Sequence, residues 1–353
     1  MDLDERVALV SRNAREVLVP EEVRTLLGTN EHPRAYIGFE PSGQLTVGHL
    51  VCARKMRDLE EAGCELTVFL ADWHAWINDK LGGSLDRIQA AGRYMEAGFR
   101  SLGVGGSDRT RFRWAHDLVG SAGYWERVIR VAKATSLARA KRAMTIMGRK
   151  EDEAQVDMAK LYYPSMQAAD IFELPVEIAY AGMDQRRAHV LAREVAQHYG
   201  WTVPVAVHTP LISSLKGGAR MDPNDPGSEG KMSKSDPTSS ITIPSSPEVI
   251  RERIGKAVCP AREVEGNPVV ELALYVLFPW EGHLAVERSA KYGGSVEYTE
   301  EKEFLAAWTA GTLHPMDLKN AVAGGLGRIL EPTDHFFADH PELVSAIQGP
   351  RPG

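Results

Sequence analysis

Three groups of residues in this sequence have the types and spacing for chemistry. The first is Pro41-Ser42-Gly43-Gln44-Leu45-Thr46-Val47-Gly48-His49-Leu50. It falls at a strand-to-helix crossing, where ligands gather in parallel sheets. A helix N-terminus there offers free N–H groups and a positive dipole end to a phosphate. Gly48 lets a flat ring approach the backbone, and His49 can donate to phosphate oxygens. A plain turn ahead of a helical histidine is the alternative. The second group is Lys231-Met232-Ser233-Lys234-Ser235. Its lysines and serines can wrap a polyphosphate, each amine neutralising charge that develops in a transition state. A solvated Lys/Ser loop is the alternative there. The third group is Tyr163, Gln167 and Asp170, spaced by four and three so that they share one helix face. A phenol, an amide and a carboxylate together suit a polar ligand better than a core. A half-buried helix with satisfied polar groups is the other reading. Asp72 and His74 follow a strand, where they could face a ligand edge or form a structural pair.

The elements that must position these groups alternate. Ala35–Phe39, Leu66–Ala71, Phe112–Trp114, Val176–Tyr180 and Val203–Val207 read as short buried strands, the last of them the last clear strand. Helical spacing runs from about Gly48 to Gly63, from a Ser84 cap to Gly103, over about 121–146 and 152–170, and from an Asp184 cap to Gly200. Strands alternating with helices imply parallel pairing, hence an α/β doubly wound fold. Residues 216–240 form a long loop rich in Gly, Pro, Asp and Ser; a loop of that length in a compact chain is usually functional. Beyond about 245 strand signals fade, and helical patterns dominate at about 247–257, 267–278, 299–308, 316–330 and 340–347.

At 353 residues the chain has room for two domains. Its 43% hydrophobic and 25% charged residues are the profile of a globular enzyme. Cys52, Cys64 and Cys259 are odd in number and far apart, which argues against a disulfide framework or a cysteine-rich zinc site. The charged, acidic start is unlike a signal peptide. The most apolar stretch, Leu66 to Ile77, is too short to span a bilayer. The expectation is a cytoplasmic protein with no membrane role and no metal ligands of its own. No GxGxxG follows a strand, and Gly230-Lys231 lacks the spacing of a P-loop.

The first two groups together resemble the HIGH and KMSKS signatures of class I aminoacyl-tRNA synthetases, with Thr46 in place of the first histidine. The resemblance sharpens to tyrosyl-tRNA synthetases of the archaeal and eukaryotic branch and runs over nearly the whole chain. Tyr36-Ile37-Gly38-Phe39-Glu40-Pro41-Ser42-Gly43, Tyr163-Pro164-Ser165-Met166-Gln167-Ala168-Ala169-Asp170, Gly182-Met183-Asp184-Gln185-Arg186 and Leu313-His314-Pro315-Met316-Asp317-Leu318-Lys319-Asn320 carry it. It implies a Rossmann-like catalytic domain over 1–240. That domain would include a helical connecting and dimer segment at about 118–172 and the lysine loop at about 216–240. It also implies an α-helical anticodon-binding domain over 241–353. Tyr36 and Asp170 would bind the phenol hydroxyl of L-tyrosine, and Tyr163, Gln167 and Gln185 its ammonium. Phenylalanine would leave the Asp170 carboxylate buried and unpaired. Gly38, Gly48, His49, Lys231, Met232, Ser233 and Lys234 would bind ATP, with magnesium on its phosphates. Thr46, Gly48, His49, Lys231 and Lys234 would stabilise the reacting phosphorus. Lys216–Gly230 is long for the family.

Net charge is −7, which taken alone disfavours nucleic acid. Its distribution says otherwise. From Arg127 to Lys150 there is no acidic residue, and the segment carries +8 against −15 elsewhere. Such a patch suits a phosphate backbone, a solvated helix face being the alternative; the expected contact is the tRNA acceptor stem, through Arg139 and Arg142. Val128, Ile129, Val131, Leu137 and Ile146 could serve the homodimer contact that the resemblance implies. It also makes His314 and Asp317 readers of an anticodon base, although they could be helix caps, and Tyr292 could stack on an unpaired base. A tryptophanyl enzyme, a catalytically silent paralogue and a non-tRNA adenylyltransferase are the competing readings; Tyr36 with Asp170 opposes the first, intact Lys231, Lys234, His49 and Gln185 the second, and the His314–Asp317 motif the third.

Overall fold

Apolar runs of four to six residues in this chain form a parallel sheet covered on both faces, which is why they read as nearly continuous apolar stretches. The computed structural model describes residues 1–147, 157–217, 232 and 238–348. Its main sheet holds β1 (Glu16–Val17), β2 (Arg34–Phe39), β3 (Glu65–Leu70), β4 (Arg111–Trp114), β5 (Ile178–Gly182) and β6 (Val205–Thr209), in the order β1-β6-β5-β2-β3-β4. β2 to β6 are parallel, and β1 joins the edge antiparallel. Numbered along the chain, the parallel strands follow the 3-2-1-4-5 order of the doubly wound nucleotide-binding fold. The order reverses between β2 and β5. β2 pairs with β3 over six positions but with β5 at Ala35↔Ile178 and Tyr36↔Ala179, so a crevice opens beyond those residues.

Side chains alternate across the sheet. Ile37, Val68 and Leu70 enter one core with Leu50, Met56 and Phe99, while Tyr36, Phe69 and Ala179 enter a second with Tyr124, Val128 and Met166. Helices His49–Glu61, Leu85–Ser101, Met158–Glu173 and Arg186–Tyr199 supply these faces. Ser84 caps its helix as expected by accepting the Arg87 N–H, and Gly200 ends another in the left-handed region. The C-terminal helices Pro247–Lys256, Glu301–Ala310, Pro315–Asp339 and Pro341–Gln348, with the helical stretch 268–281, share the first core. Tyr94 stacks on Phe337 at 4.9 Å, and Trp280 donates to the Leu50 carbonyl at 3.0 Å.

Three sequence expectations differ from the structure. The helix expected over 121–146 breaks into Ala122–Lys133, Leu137–Ala143 and a 3₁₀ turn Met144–Met147. The reason is local: Thr135 Oγ1 donates back to the Val131 carbonyl, and the Ser136 side chain caps the next helix. Asp184 is not a cap, because a 3₁₀ turn Met183–Gln185 intervenes and leaves its carboxylate facing the crevice. A ribbon of β7 (Leu284–Val286) and β8 (Val296–Tyr298) lies where helices alone were expected; its strands are too short for alternation to show. The helices Leu3–Ser11 and Pro20–Thr29 and strand β1 went unread.

Behind the crevice, buried His189 and buried His208 meet at 3.0 Å, and His208 Nδ1 lies 3.0 Å from Glu16 Oε2. Burial pulls His208 down to about 4 in spite of the Glu16 carboxylate, and burial, then His208, holds His189 well below 6.5. Both rings are therefore neutral in the fold, whereas the unfolded chain takes up their protons below about 6.5. The contribution of this pair to stability must then fall as pH drops from about 6.5 toward 4. Thermal melts at pH 7.5, 6 and 5 should show a decline of several degrees, smaller in His189→Gln relative to its own value at pH 7.5; parallel declines would refute this assignment.

Candidate active site

A cavity of about 520 Å³ occupies the crevice at the C-terminal ends of β2 and β5. Tyr36, Gly38, Thr46, Gly48, His49, Tyr163, Gln167, Asp170, Gln185 and Met232 all line it. These are all the expected tyrosine and ATP residues that fall in the described part of the chain. Lys231, Ser233 and Lys234 lie outside the described residues.

At one end Tyr36 and Asp170 are buried side by side. Burial, and then the Asp170 charge, push the Tyr36 hydroxyl well above its usual range and keep it protonated. Gly38 makes this possible: a Cβ there would stand 2.5 Å from the Tyr36 hydroxyl. Asp170 is not left bare, as the phenylalanine argument supposed. Its Oδ1 accepts the Tyr124 hydroxyl at 2.8 Å, and His74 Nε2 lies 3.0 Å from Oδ2. A phenol placed here would add a further donor to a carboxylate that already has neighbours, and a phenyl ring would not.

In the middle of the cavity, Gln167 Nε2 donates to Gln185 Oε1 at 3.1 Å, and Gln185 Nε2 to the Ile146 carbonyl at 3.1 Å. That leaves Gln167 Oε1 buried without a hydrogen-bond partner among the described residues, an acceptor suited to an ammonium. Tyr163 donates to Glu40 Oε1 at 2.8 Å, so its hydroxyl oxygen can accept in turn. Sequence reasoning missed Glu40, Tyr124 and Lys80, the last of which lines the cavity with its Nζ 3.4 Å from Glu40 Oε2. An acidic residue directly after a buried strand was the available signal for Glu40. Asp72 and His74 do not pair with each other. His74 lines the cavity, whereas Asp72 is buried outside it and accepts from Gln89 Nε2 and from the His116 and Trp73 N–H groups.

At the far end, His49 opens the helix His49–Glu61. The Thr46 backbone N–H lies 3.0 Å from His49 Nδ1, as does Thr46 Oγ1. Nδ1 also lies 3.3 Å from the Thr46 carbonyl, but that oxygen already accepts the His49 N–H at 2.8 Å, and the closer backbone N–H can only donate, so a neutral ring carries its proton on Nε2. Met232 ties the second motif to the first: its N–H donates to the Ile212 carbonyl at 3.0 Å, and its sulfur lies 4.0 Å from where a Cβ on Gly48 would stand.

The residues expected at tRNA lie elsewhere, and none lines this cavity. Arg139 pairs with Glu194 at 3.0 Å, Arg127 with Glu173 at 3.1 Å and Arg130 with Glu126 at 2.6 Å, so partners outside the segment offset part of its +8. Arg142 is exposed. Of the apolar residues expected at a dimer contact, Val128, Val131 and Ile146 are instead core, since they occupy the inward face of their elements; Ile129 and Leu137 are exposed. His314 caps the helix Pro315–Asp339 by accepting the Met316 N–H at 3.1 Å, with Asp317 in its first turn. Tyr292 is exposed, with Lys291 Nζ 5.6 Å from its ring centre.

A doubly wound sheet with a helix start and a polar pocket at the strand switch is the architecture of a nucleotide-dependent α/β enzyme. Residues 28–331 match the family model of tRNA synthetases class I (W and Y). A tyrosine--tRNA ligase of Aeropyrum pernix is 47% identical over 99% of this chain and 97% of its own length. The crystal structure of a tyrosyl-tRNA synthetase from that organism superposes with a TM-score of 0.87 at 44% identity, covering 99% of this chain and 98% of its own. A tyrosyl-tRNA synthetase complexed with L-tyrosine, from Pyrococcus horikoshii, reaches 0.91 at 41% identity, covering 99% and 100%. The chain belongs to the class I tRNA synthetases, in their tyrosine--tRNA ligase family.

Proposed function

We propose that the cavity joins L-tyrosine to ATP as tyrosyl-adenylate, releasing pyrophosphate, and that the tyrosyl group then passes to the 3′ end of tRNA(Tyr). One observation carries the substrate reading: a carboxylate acceptor at Asp170 and a buried acceptor at Gln167 Oε1, without a partner among the described residues, stand on the same face of one helix. An amino acid with a phenol fits both. The carboxylate then points toward His49, where the ATP α-phosphate is attacked in line. This step needs positioning and charge stabilisation more than acid–base chemistry. His49, Thr46, Lys231 and Lys234 supply the stabilisation, with magnesium carried on the ATP phosphates.

Residues 1–240 are the catalytic domain in this reading. Residues 241–353 present Tyr292, His314 and Asp317 to the anticodon, and Arg139 and Arg142 can exchange carboxylate or solvent for acceptor-stem phosphates. A homodimer fits the exposed Trp76, Met158 and Tyr162, which lie on two helices that pack together. The cytoplasm is where tRNA and ATP are available. ATP–pyrophosphate exchange with each of the twenty amino acids tests the reading. Exchange with tyrosine and charging of tRNA(Tyr) are expected. Exchange with tryptophan instead, or tRNA binding with no exchange, would overturn it.

A further inference from the structure

The carboxylate that reads the phenol is itself held by residues from two other elements. Tyr124 comes from the helix Ala122–Lys133 and is fully buried. Its hydroxyl donates to Asp170 Oδ1 at 2.8 Å. His74 comes from the helix Asp72–Ile77. Its ring stands edge-on to Phe69 at 6.3 Å and to Tyr163 at 5.2 Å, which fixes its plane. His74 Nε2 reaches within 3.0 Å of Asp170 Oδ2, but outside the angle of a formed hydrogen bond. Neither ring nitrogen of this buried side chain has a hydrogen-bond partner among the described residues. The arrangement is closed on one oxygen and open on the other.

We propose that Tyr124 and His74 are positioning residues that set the Asp170 carboxylate for the substrate phenol, Tyr124 holding Oδ1 in the free enzyme and His74 closing on Oδ2 when the phenol binds. The proposal rests on the tyrosine reading above. A carboxylate with two fixed donors has its remaining lone pairs aimed in one direction, and a phenol hydroxyl placed there completes the set. Without the donors the group can rotate, and hydrogen-bond discrimination between a phenol and a phenyl ring weakens. Hydrogen bonds to charged groups usually tighten in the bound complex, which fits the unmade angle at His74. The charged and titratable groups facing His74 are Asp170 and Tyr163 from the helix Met158–Glu173, Glu40 after β2, and Asp72 of its own helix. Burial opposes charge on His74, but Asp170, with Glu40 and Asp72, outweighs it and raises its pKa.

The test is ATP–pyrophosphate exchange with tyrosine and with phenylalanine, using full-length Tyr124→Phe, His74→Leu and His74→Gln. Tyr124→Phe removes one oxygen and keeps the ring in the core. It should lower the tyrosine-over-phenylalanine ratio of kcat/KM by about tenfold. The loss should sit in the KM for tyrosine, with the KM for ATP and the phenylalanine values unmoved. His74→Leu should do the same, and His74→Gln, which restores an N–H donor, should recover most of the ratio. A wild-type chain that chooses tyrosine, with the ratio unchanged in Tyr124→Phe and His74→Leu, overturns this proposal alone. So do equal losses with both amino acids, which would mark a general structural role. A wild-type chain that does not exchange with tyrosine overturns the substrate reading and the proposal with it.

Discussion

Asp170→Asn should cut the preference for tyrosine over phenylalanine by roughly 10- to 100-fold while the protein stays folded. The substitution keeps the volume of a side chain that is buried. The Asn carbonyl can still accept the Tyr124 hydroxyl, and its amide takes the place beside His74 Nε2, where Asp170 makes no aligned hydrogen bond in the free protein. Internal partners therefore survive, and the melting temperature should move little. What disappears is the charge. A hydrogen bond to a charged group contributes about 1.5–3 kcal/mol. At about 1.4 kcal/mol per decade, the loss is one to two orders of magnitude in kcat/KM for tyrosine. Phenylalanine made no such bond and should be activated as well as before, or better. Asp170→Ala is the poorer probe, because it leaves a buried hydroxyl on Tyr124 without its acceptor and mixes stability with selectivity. Exchange kinetics with both amino acids decide the matter: an unchanged ratio in Asp170→Asn would remove Asp170 from phenol recognition.

The central part of this site could be read from the sequence because its information is local. Tyr163, Gln167 and Asp170 are neighbours on one helix, and helical spacing alone puts them on one face. Thr46, Gly48 and His49 follow a buried strand and open a helix, which is the geometry of a ligand at a strand end. The strands β2, β3, β5 and β6 were legible for the same reason: burial on both faces writes an uninterrupted apolar run.

What stayed hidden depends on residues distant in sequence. Tyr124 meets Asp170 across 46 positions, and Arg139 meets Glu194 across 55. Composition along the chain showed the +8 segment but not the acids that fold onto it. The inward face of the helix Ala122–Lys133 was misjudged for a related reason. Val128 and Val131 are apolar whether they meet a second subunit or their own core, and Ile129, one position away, points outward. Asp184 failed as a cap because capping depends on the first residue of the helix, and the 3₁₀ turn ahead of Arg186 moved that start beyond it.

His49→Ala is expected to slow adenylate formation by about 100-fold with little change in the KM for tyrosine. The two ends of the cavity separate these quantities. In the proposed reading tyrosine meets Asp170 and Gln167 on the helix Met158–Glu173, whereas His49 stands at the start of the helix His49–Glu61. With Nδ1 occupied by the Thr46 N–H, the imidazole has its remaining N–H at Nε2, and removing one donor of this kind from a developing oxyanion usually costs about 10² to 10³ in rate. Thr46 acts on the same ring. Its backbone N–H fixes the tautomer whatever side chain follows, so Thr46→Val should slow the reaction far less than His49→Ala. Such an ordering would explain how a threonine can occupy the place of the family's first histidine, since the Thr46 main chain reaches His49 Nδ1 as closely as its side chain does. Single-turnover formation of tyrosyl-adenylate at saturating ATP, with tyrosine varied, gives both constants. A loss in His49→Ala that appears as weaker tyrosine binding, or a Thr46→Val defect as large as that of His49→Ala, would contradict the division of roles between the two ends of the cavity.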